Sequence, residues 1–153
     1  MRQRINPIEE PATEDPAAGL RDAFALLLPI RRQRLRRSER QQRQHEQQLE
    51  RLRAEEKAAS QQLTQRQSDY QTLRAGFDAA YLGHQPLSQL QRGLQKEGKA
   101  AEAVQHQRLA VRDSAAQCAM QSEQLAAARM ETQQRQRELE KLEMLMQENE
   151  VPS

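Results

Sequence analysis

A chain reversal is predicted by residues 82–87, which read Leu82-Gly83-His84-Gln85-Pro86-Leu87. Pro86 is the one proline between Ile30 and Val151, and it divides a sequence rich in Gln, Arg and Glu into two long arms. A proline inside a helix costs about 3 kcal/mol, and a nearby glycine favours a tight turn. We therefore expect a first long helix at residues 30–82, a turn at 83–86 and a second long helix at 87–149.

The composition suits a narrow coiled coil better than a thick globular core. Of the 153 residues, 30% are charged, 3% are aromatic and none is tryptophan. Such a chain has enough apolar side chains to line one seam between two helices, and its abundance of Ala, Glu, Leu, Arg and Gln is typical of long helices. The predicted fold class is all-α: a long antiparallel two-helix coiled-coil hairpin.

The sequence before the first arm predicts two further segments. Residues 1–15 are acidic, carry two prolines and have little apolar content, so we expect a disordered N-terminal leader. Asp15-Pro16 has the pattern of a helix cap followed by proline in the first turn, which predicts a short helix at residues 16–28. Pro29 should kink or break the chain after that helix, and residues 150–153 form a tail.

Apolar residues recur in each arm with the alternating spacing of three and four that is typical of a coiled-coil seam. In the first arm the seam includes Leu49, Leu52, Glu56, Ala59, Leu63, Arg66, Tyr70, Leu73, Phe77 and Ala80, and it extends back through His45, Gln42, Ser38 and Leu35 to Leu28. In the second arm it includes Leu87, Leu90, Leu94, Glu97, Ala101, Val104, Arg108, Val111, Ala115 and Cys118. After Cys118 we expect the register to change.

Charge is distributed unevenly, although the net charge is only +2. The arginine run comprises Arg31, Arg32, Arg34, Arg36, Arg37, Arg40 and Arg43, whereas residues 138–150 carry five glutamates and one lysine. Arginines at a helix N-terminus and glutamates at a C-terminus both oppose the helix dipole. An antiparallel hairpin in which paired residue numbers sum to about 169 lays the two clusters side by side, which favours this register.

Residue types that carry catalysis or bind cofactors are sparse and scattered. His45, His84 and His106 have no Cys or carboxylate partners at metal-ligand spacing, so we expect no metal site and no cofactor. The sequence has no glycine-rich phosphate loop and no nucleophile–base arrangement, and a two-helix rod is expected to offer no concavity that excludes water. These observations predict that the protein is not an enzyme.

The lone cysteine and the hydropathy bear on location. Cys118 cannot form an intrachain disulfide, which indicates a reducing compartment, and we expect its side chain to be buried in the seam. No apolar run is long enough to span a bilayer, and no secretory signal is visible. We therefore expect a soluble, cytoplasmic protein.

The basic opening of the first arm reads Leu26-Leu27-Leu28-Pro29-Ile30-Arg31-Arg32-Gln33-Arg34-Leu35-Arg36-Arg37-Ser38-Glu39-Arg40. It resembles the opening of the central stalk proteins of type III secretion systems, the YscO/HrpO-like family, whose flagellar counterpart is FliJ. Length, order of elements and composition are similar over the whole chain. The leader ahead of the basic stretch is longer here than expected for that family, and the arginine density is higher.

The resemblance implies a non-catalytic virulence protein that inserts into the hexameric secretion ATPase and links it to the export gate at the inner membrane. By this resemblance, Arg31, Arg32, Arg34, Arg36, Arg37 and Arg40 would bind the ATPase. The aromatic cluster near the turn, made of Tyr70, Phe77, Tyr81 and Leu82, would bind the cytoplasmic domain of the export-gate membrane protein. Export chaperones are further possible partners, and neither nucleic acid binding nor membrane insertion is implied.

Other interpretations of the same residues stay open. The arginine run can be a solvated helix face, and the aromatic cluster can be core packing at the end of the hairpin. A different class of function is a soluble coiled-coil secretion chaperone or adaptor that works without an ATPase. A third is a nucleic-acid binder, because arginines suit phosphate contacts, although no aromatic stacking residues accompany them.

Overall fold

The computed structural model describes residues 16–80 and 86–149 of the chain. This part consists of helix α1, Pro16–Ala80, and helix α2, Leu87–Glu148, which pack against each other as an all-α hairpin. The predicted fold class is thereby confirmed. Of the remaining predictions, the leader at 1–15, turn residues 83–85, the tail at 150–153, and Tyr81 and Leu82 lie outside the described residues.

Helix α2 begins where the sequence predicts. The backbone carbonyl of Pro86 accepts hydrogen bonds from the N–H groups of Gln89, at 3.0 Å, and Leu90, at 3.1 Å. Pro86 itself has no N–H, and a proline just ahead of the first turn leaves no donor unpaired there. This proline therefore starts the second helix.

Pro29 lies inside α1, so the prediction of a separate short helix at residues 16–28 is wrong. Pro29 has no N–H group to donate to the carbonyl of Ala25, four residues earlier. Because Pro29 is exposed, that carbonyl lies on the solvent side of the helix, where water can donate to it. Phe24 and Leu28 ahead of the proline are buried against α2. Burial of large apolar side chains contributes about 1.5–3 kcal/mol each, which offsets the cost of one helical proline.

The early start of α1 also changes the electrostatic argument for the hairpin register. The arginine run begins at Arg31, about four turns after Pro16, and a helix dipole acts only within the first or last turn. The prediction that these arginines oppose their own helix dipole is therefore wrong. The observed register depends instead on side-chain packing and on specific hydrogen bonds between the helices.

The two helices form two compact units, and the first combines residues 16–44 with residues 126–149. Its core is a cluster of Phe24 and Leu28 from α1 with Leu142 and Met146 from α2, flanked by Leu139. Next to this core, Nη1 of Arg31 donates a hydrogen bond to the backbone carbonyl of Glu138 at 2.8 Å. These contacts agree with the predicted antiparallel pairing to within one helical turn.

The second unit combines residues 45–80 with residues 86–125. Its buried apolar side chains are Leu49 on α1 and Val104, Cys118 and Leu125 on α2. Two buried glutamines bridge the helices: Gln107 donates to the carbonyl of Ala59 at 2.9 Å, and Gln121 contacts His45. Because rising numbers on α1 pair with falling numbers on α2, the helices are antiparallel in this unit.

The predicted seam of the first arm is largely confirmed. All of its members from Leu28 to Phe77 except Arg66 are buried or half-buried, including the polar residues Ser38, Gln42 and His45. Arg66 is exposed, and the next residue, Gln67, is half-buried in its place. A long charged side chain keeps its head group in water, and the neighbouring amide takes the inward position.

The predicted seam of the second arm is wrong at four of its ten positions. Leu87, Leu94, Arg108 and Ala115 are exposed, whereas Gly93, Ala100, Gln107 and Ser114 face inward. With these residues the seven-residue repeat continues without interruption from Leu90 to Met146, so the register change expected after Cys118 does not occur. The prediction failed because it followed leucines and alanines, whereas the inward positions of α2 are often small or polar.

Candidate interaction surfaces

The arginine run lies in the first unit, on the middle of α1. Arg31 and Arg32 are half-buried, whereas Arg34, Arg36, Arg37, Arg40 and Arg43 are exposed. Residues 32, 36, 40 and 43 are spaced by three or four and share one side of the helix, whereas Arg34 and Arg37 lie on another. The exposed arginines form no ion pair with a carboxylate among the described side chains of residues 16–77 and 86–149. The run therefore presents guanidinium groups around much of α1.

Arg31 differs from the other predicted ATPase-binding arginines because it holds the two helices of the first unit together. Its guanidinium group binds the backbone carbonyl of Glu138. The carboxylate of Glu138 is bound by Arg135 on the same helix, with 3.3 Å between Nη1 and Oε2. Arg31 is thus a structural residue, and Glu138 already has a cationic partner on its own helix.

A basic groove lies between the helices beside the arginine run. Arg34, Arg37, Ser38 and Gln41 of α1 line it together with Glu131 and Arg135 of α2, and its volume is about 390 Å³. Arg135 pairs with Glu131 at 3.8 Å as well as with Glu138. Arg34 and Arg37 are left facing the groove without a carboxylate among the described residues, so the groove is suited to an anionic group.

The described members of the aromatic cluster, Tyr70 and Phe77, are half-buried seam residues in the second unit. Tyr70 lines a polar groove of about 380 Å³ together with Arg74, Arg108 and Val104. Phe77 lines a separate groove on the other side of the seam. Both rings pack between the helices and are partly accessible to solvent. Their positions are therefore compatible both with core packing and with contact to a partner.

The second groove, here called the glycine groove, has a volume of about 480 Å³. It is lined by Thr72, Leu73, Gly76 and Phe77 of α1 and by Gln89, Arg92, Gly93 and Lys96 of α2. Gly93 holds an inward seam position but has no side chain to fill it. An open groove at this point of the seam was not predicted from the sequence.

Cys118 is buried in the seam of the second unit, as predicted. Burial raises the pKa of its thiol, and Glu56 raises it further because its carboxylate accepts a hydrogen bond from the thiol and is negatively charged. Arg53 acts in the opposite direction, and Glu55 adds a smaller increase. A thiol in this environment is a poor nucleophile at neutral pH, since the thiolate is the reactive form.

His45 contributes to packing between the helices of the second unit. Nε2 of Gln121 lies 2.9 Å from Nδ1 of His45 and 3.3 Å from its backbone oxygen. An amide nitrogen is a donor, so Nδ1 of His45 is the acceptor in this contact. His106 is exposed, and His84 lies outside the described residues.

The described residues contain neither a metal-binding cluster nor a membrane-spanning segment. Within residues 16–80 and 86–149, no group of three His, Cys, Asp or Glu side chains has the proximity that metal binding needs. Neither described helix contains a segment that is both long and apolar enough to cross a bilayer.

The sequence analysis missed Gln107, Gln121 and the glycine groove. Gln107 and Gln121 occupy inward positions of the heptad that contains Val104, Val111, Cys118 and Leu125, so an uninterrupted seven-residue count from Leu90 would have placed them correctly. The same count puts Gly93 in the seam and so predicts a gap opposite Leu73 and Phe77. Comparisons with known proteins add no assignment: no family model, no curated protein and no solved structure matches the chain.

Proposed function

We propose that the chain is a non-catalytic stalk of a type III secretion ATPase complex, in which the arginine run docks against acidic surfaces of the ATPase ring. The observation that carries this proposal is the exposure of Arg34, Arg36, Arg37 and Arg40 on an all-helical hairpin. The resemblance of residues 26–40 to the opening of the stalk family supports the identity of the partner.

The distribution of the arginines supports docking to a partner that surrounds the helix. Only Arg31 contributes a hydrogen bond between the helices among the arginines of the run, and the exposed ones lie on two sides of α1. Cations on more than one side of a helix fit a binding site that encloses it. Electrostatic attraction of this kind speeds association and depends on ionic strength.

On this proposal the hairpin works at the cytoplasmic face of the inner membrane, and its second unit, with Tyr70 and Phe77, contacts the export gate. A single asymmetric shaft can contact six ATPase subunits only unequally. The chain itself then needs no catalytic group.

The test is binding to the purified ATPase hexamer and stimulation of its hydrolysis. The variant Arg34→Glu, Arg36→Glu, Arg37→Glu is expected to lose at least about tenfold in affinity, which corresponds to about 1.4 kcal/mol. Arg31 is left intact because it holds the helices together. A matched control changes three exposed arginines of the second unit, Arg74, Arg108 and Arg112, to glutamate.

Circular dichroism of each variant must show unchanged helicity, so that lost binding is not lost folding. Unchanged ATPase binding and stimulation by the arginine-run variant would overturn the proposal. Binding to export chaperones without binding to the ATPase would favour the adaptor function. A salt-sensitive shift of a short DNA or RNA at sub-micromolar protein would favour the nucleic-acid function.

A further inference from the structure

The glycine groove is an unfilled apolar site on the surface of the second unit. A Cβ atom added at Gly76 has nothing within 4 Å, and half-buried Gly93 of α2 lines the same groove. Leu73 and Phe77, both half-buried, provide the apolar wall. At about 480 Å³ the groove falls within the range of sites that bind side chains or small ligands.

The rim of the groove is cationic. Arg92 and Lys96 are four residues apart on α2, so they share one side of the helix, and both are exposed. Neither forms an ion pair with a carboxylate among the described side chains of residues 16–77 and 86–149. An apolar pocket with this rim fits an apolar side chain that is flanked by carboxylates.

Among the described side chains, one exposed apolar residue has this pattern. Met144 is 60% exposed on α2 in the first unit, and Glu140 and Glu148 lie one turn before and one turn after it. All three share one side of the helix. Met130 is 71% exposed, but its neighbours at the same spacing are Ala126 and Gln134. None of the other large exposed apolar residues of the described chain has a carboxylate one turn before it and another one turn after it.

We propose that Met144 of one copy enters the glycine groove of a second copy, with Glu140 and Glu148 meeting Arg92 and Lys96. The flexible thioether adapts to an irregular pocket and contacts the ring of Phe77, an interaction of about 0.3–1.5 kcal/mol. Gln136 donates a hydrogen bond to Glu140 at 3.2 Å and holds that carboxylate on the same side of the helix. This proposal is independent of the proposed function.

The contact joins two different surfaces, so in a pair joined by one contact the copy that supplies Met144 keeps an unused groove and the other copy keeps an unused Met144. Repeated heterologous contacts build rings or open chains of copies. One side chain and two exposed ion pairs are also less than a stable interface needs. The association is therefore weak, depends on concentration, and decreases as salt is added.

Sedimentation velocity of the full chain, from low to high micromolar concentration, tests the proposal. Gly76→Leu fills the groove, and Met144→Glu removes the inserted side chain; each is expected to weaken self-association by more than about tenfold. Leucine is a better helix former than glycine, so Gly76→Leu keeps the helix. The matched controls are Gly98→Leu, at a helical glycine with equally open space, and Met130→Glu, and both should associate as the wild type does.

Mixing the two defective variants gives the sharpest result. The Gly76→Leu copy keeps a functional Met144, and the Met144→Glu copy keeps an open groove. The mixture is expected to form a species of twice the 17.7 kDa mass of one copy and nothing larger, because the remaining surfaces are both blocked.

Several outcomes would overturn the proposal. A wild type that stays monomeric throughout would show that a second copy is not the occupant and would leave a foreign acidic helix as the one to seek. Association that survives Gly76→Leu, or that Met130→Glu disrupts as strongly as Met144→Glu, would place the contact elsewhere. A mixture of the two variants that stays monomeric would exclude the heterologous arrangement.

Discussion

Arg31 of α1 and Glu138 of α2 are joined by a hydrogen bond of 2.8 Å from a guanidinium nitrogen to a backbone carbonyl. The carboxylate of the same Glu138 binds Arg135. One residue of α2 therefore engages two arginines, one through its backbone and one through its side chain. Because a backbone carbonyl has a fixed position on its helix, this bond specifies the register of the first unit more narrowly than an exposed ion pair would.

Replacing Arg31 should destabilise the first unit. Arg31→Ala removes a charge-assisted hydrogen bond and the packing of the side-chain stem, so the free energy of unfolding should fall by about 1–3 kcal/mol. Urea denaturation followed by circular dichroism measures the change. Arg31→Met keeps the stem and should lose less, and exposed Arg36→Ala should change the stability by under about 0.5 kcal/mol. Equal values for Arg31→Ala and Arg36→Ala would contradict the role given to Arg31.

Replacing Pro29 should stabilise α1. Pro29→Ala restores an N–H group that can donate to the carbonyl of Ala25, and the exposed proline ring contributes no buried packing. A helical proline costs about 3 kcal/mol relative to alanine, whereas the freer unfolded chain returns about 0.4–1 kcal/mol. The free energy of unfolding should therefore rise by about 2 kcal/mol.

Pro16 provides the matched control, because it occupies the first position of α1, where no N–H partner exists. Pro16→Ala should leave the stability nearly unchanged. If Pro29→Ala lowered the unfolding free energy, the helix through Pro29 would depend on the proline in a way that backbone hydrogen bonding does not explain.

The hairpin and the seam of α1 were predictable because they depend on strong and local features. Pro86 ends any helix in the middle of the chain, and Leu49, Leu52 and Leu63 recur at coiled-coil spacing. Pro29 gave the same local signal as Pro86 but had a different outcome. The helix continues through Pro29 because Phe24 and Leu28 pack on α2. The helix preference of a single residue does not include the free energy of such packing between helices.

The candidate surfaces were predictable only in part. The arginine run is visible in the sequence, but Arg31 and Arg34 differ in role because one faces a carbonyl of α2 and the other faces a groove. The glycine groove follows from the sequence only when Gly93 is assigned to the seam, and the predicted register of α2 placed Leu94 there instead. Exposed and inward positions of α2 were confused because leucines such as Leu94 lie outside while Gln107 lies inside.

Replacing Gln107 by leucine should stabilise the second unit. Gln107 is 7% exposed and donates to the carbonyl of Ala59, which also accepts a bond within its own helix. Removing the amide therefore leaves no buried acceptor unpaired, and the leucine gains about 1–2 kcal/mol from burial. Chemical denaturation should show this increase for Gln107→Leu and none for Gln105→Leu, which changes an exposed residue. A loss of stability would mean that the bond to Ala59 outweighs apolar burial.

Alkylation of Cys118 should require higher pH in the folded chain than in the unfolded chain. Burial and Glu56 raise the pKa of the thiol, so the reactive thiolate forms later as the pH increases. The folded state thus favours the protonated thiol, and its contribution to stability is lost as the pH rises through the folded-state pKa. Iodoacetamide rates measured against pH, with and without urea, report the shift directly.

Two carboxylate variants separate the causes of this shift. Glu56→Gln removes the negative charge beside the thiol and should move the alkylation profile toward lower pH, although burial keeps it above the profile in urea. Glu55→Gln removes a smaller contribution and should move it less. If the native and urea profiles coincide, or if Glu55→Gln has the larger effect, then Glu56 is not the carboxylate that the thiol meets in the seam.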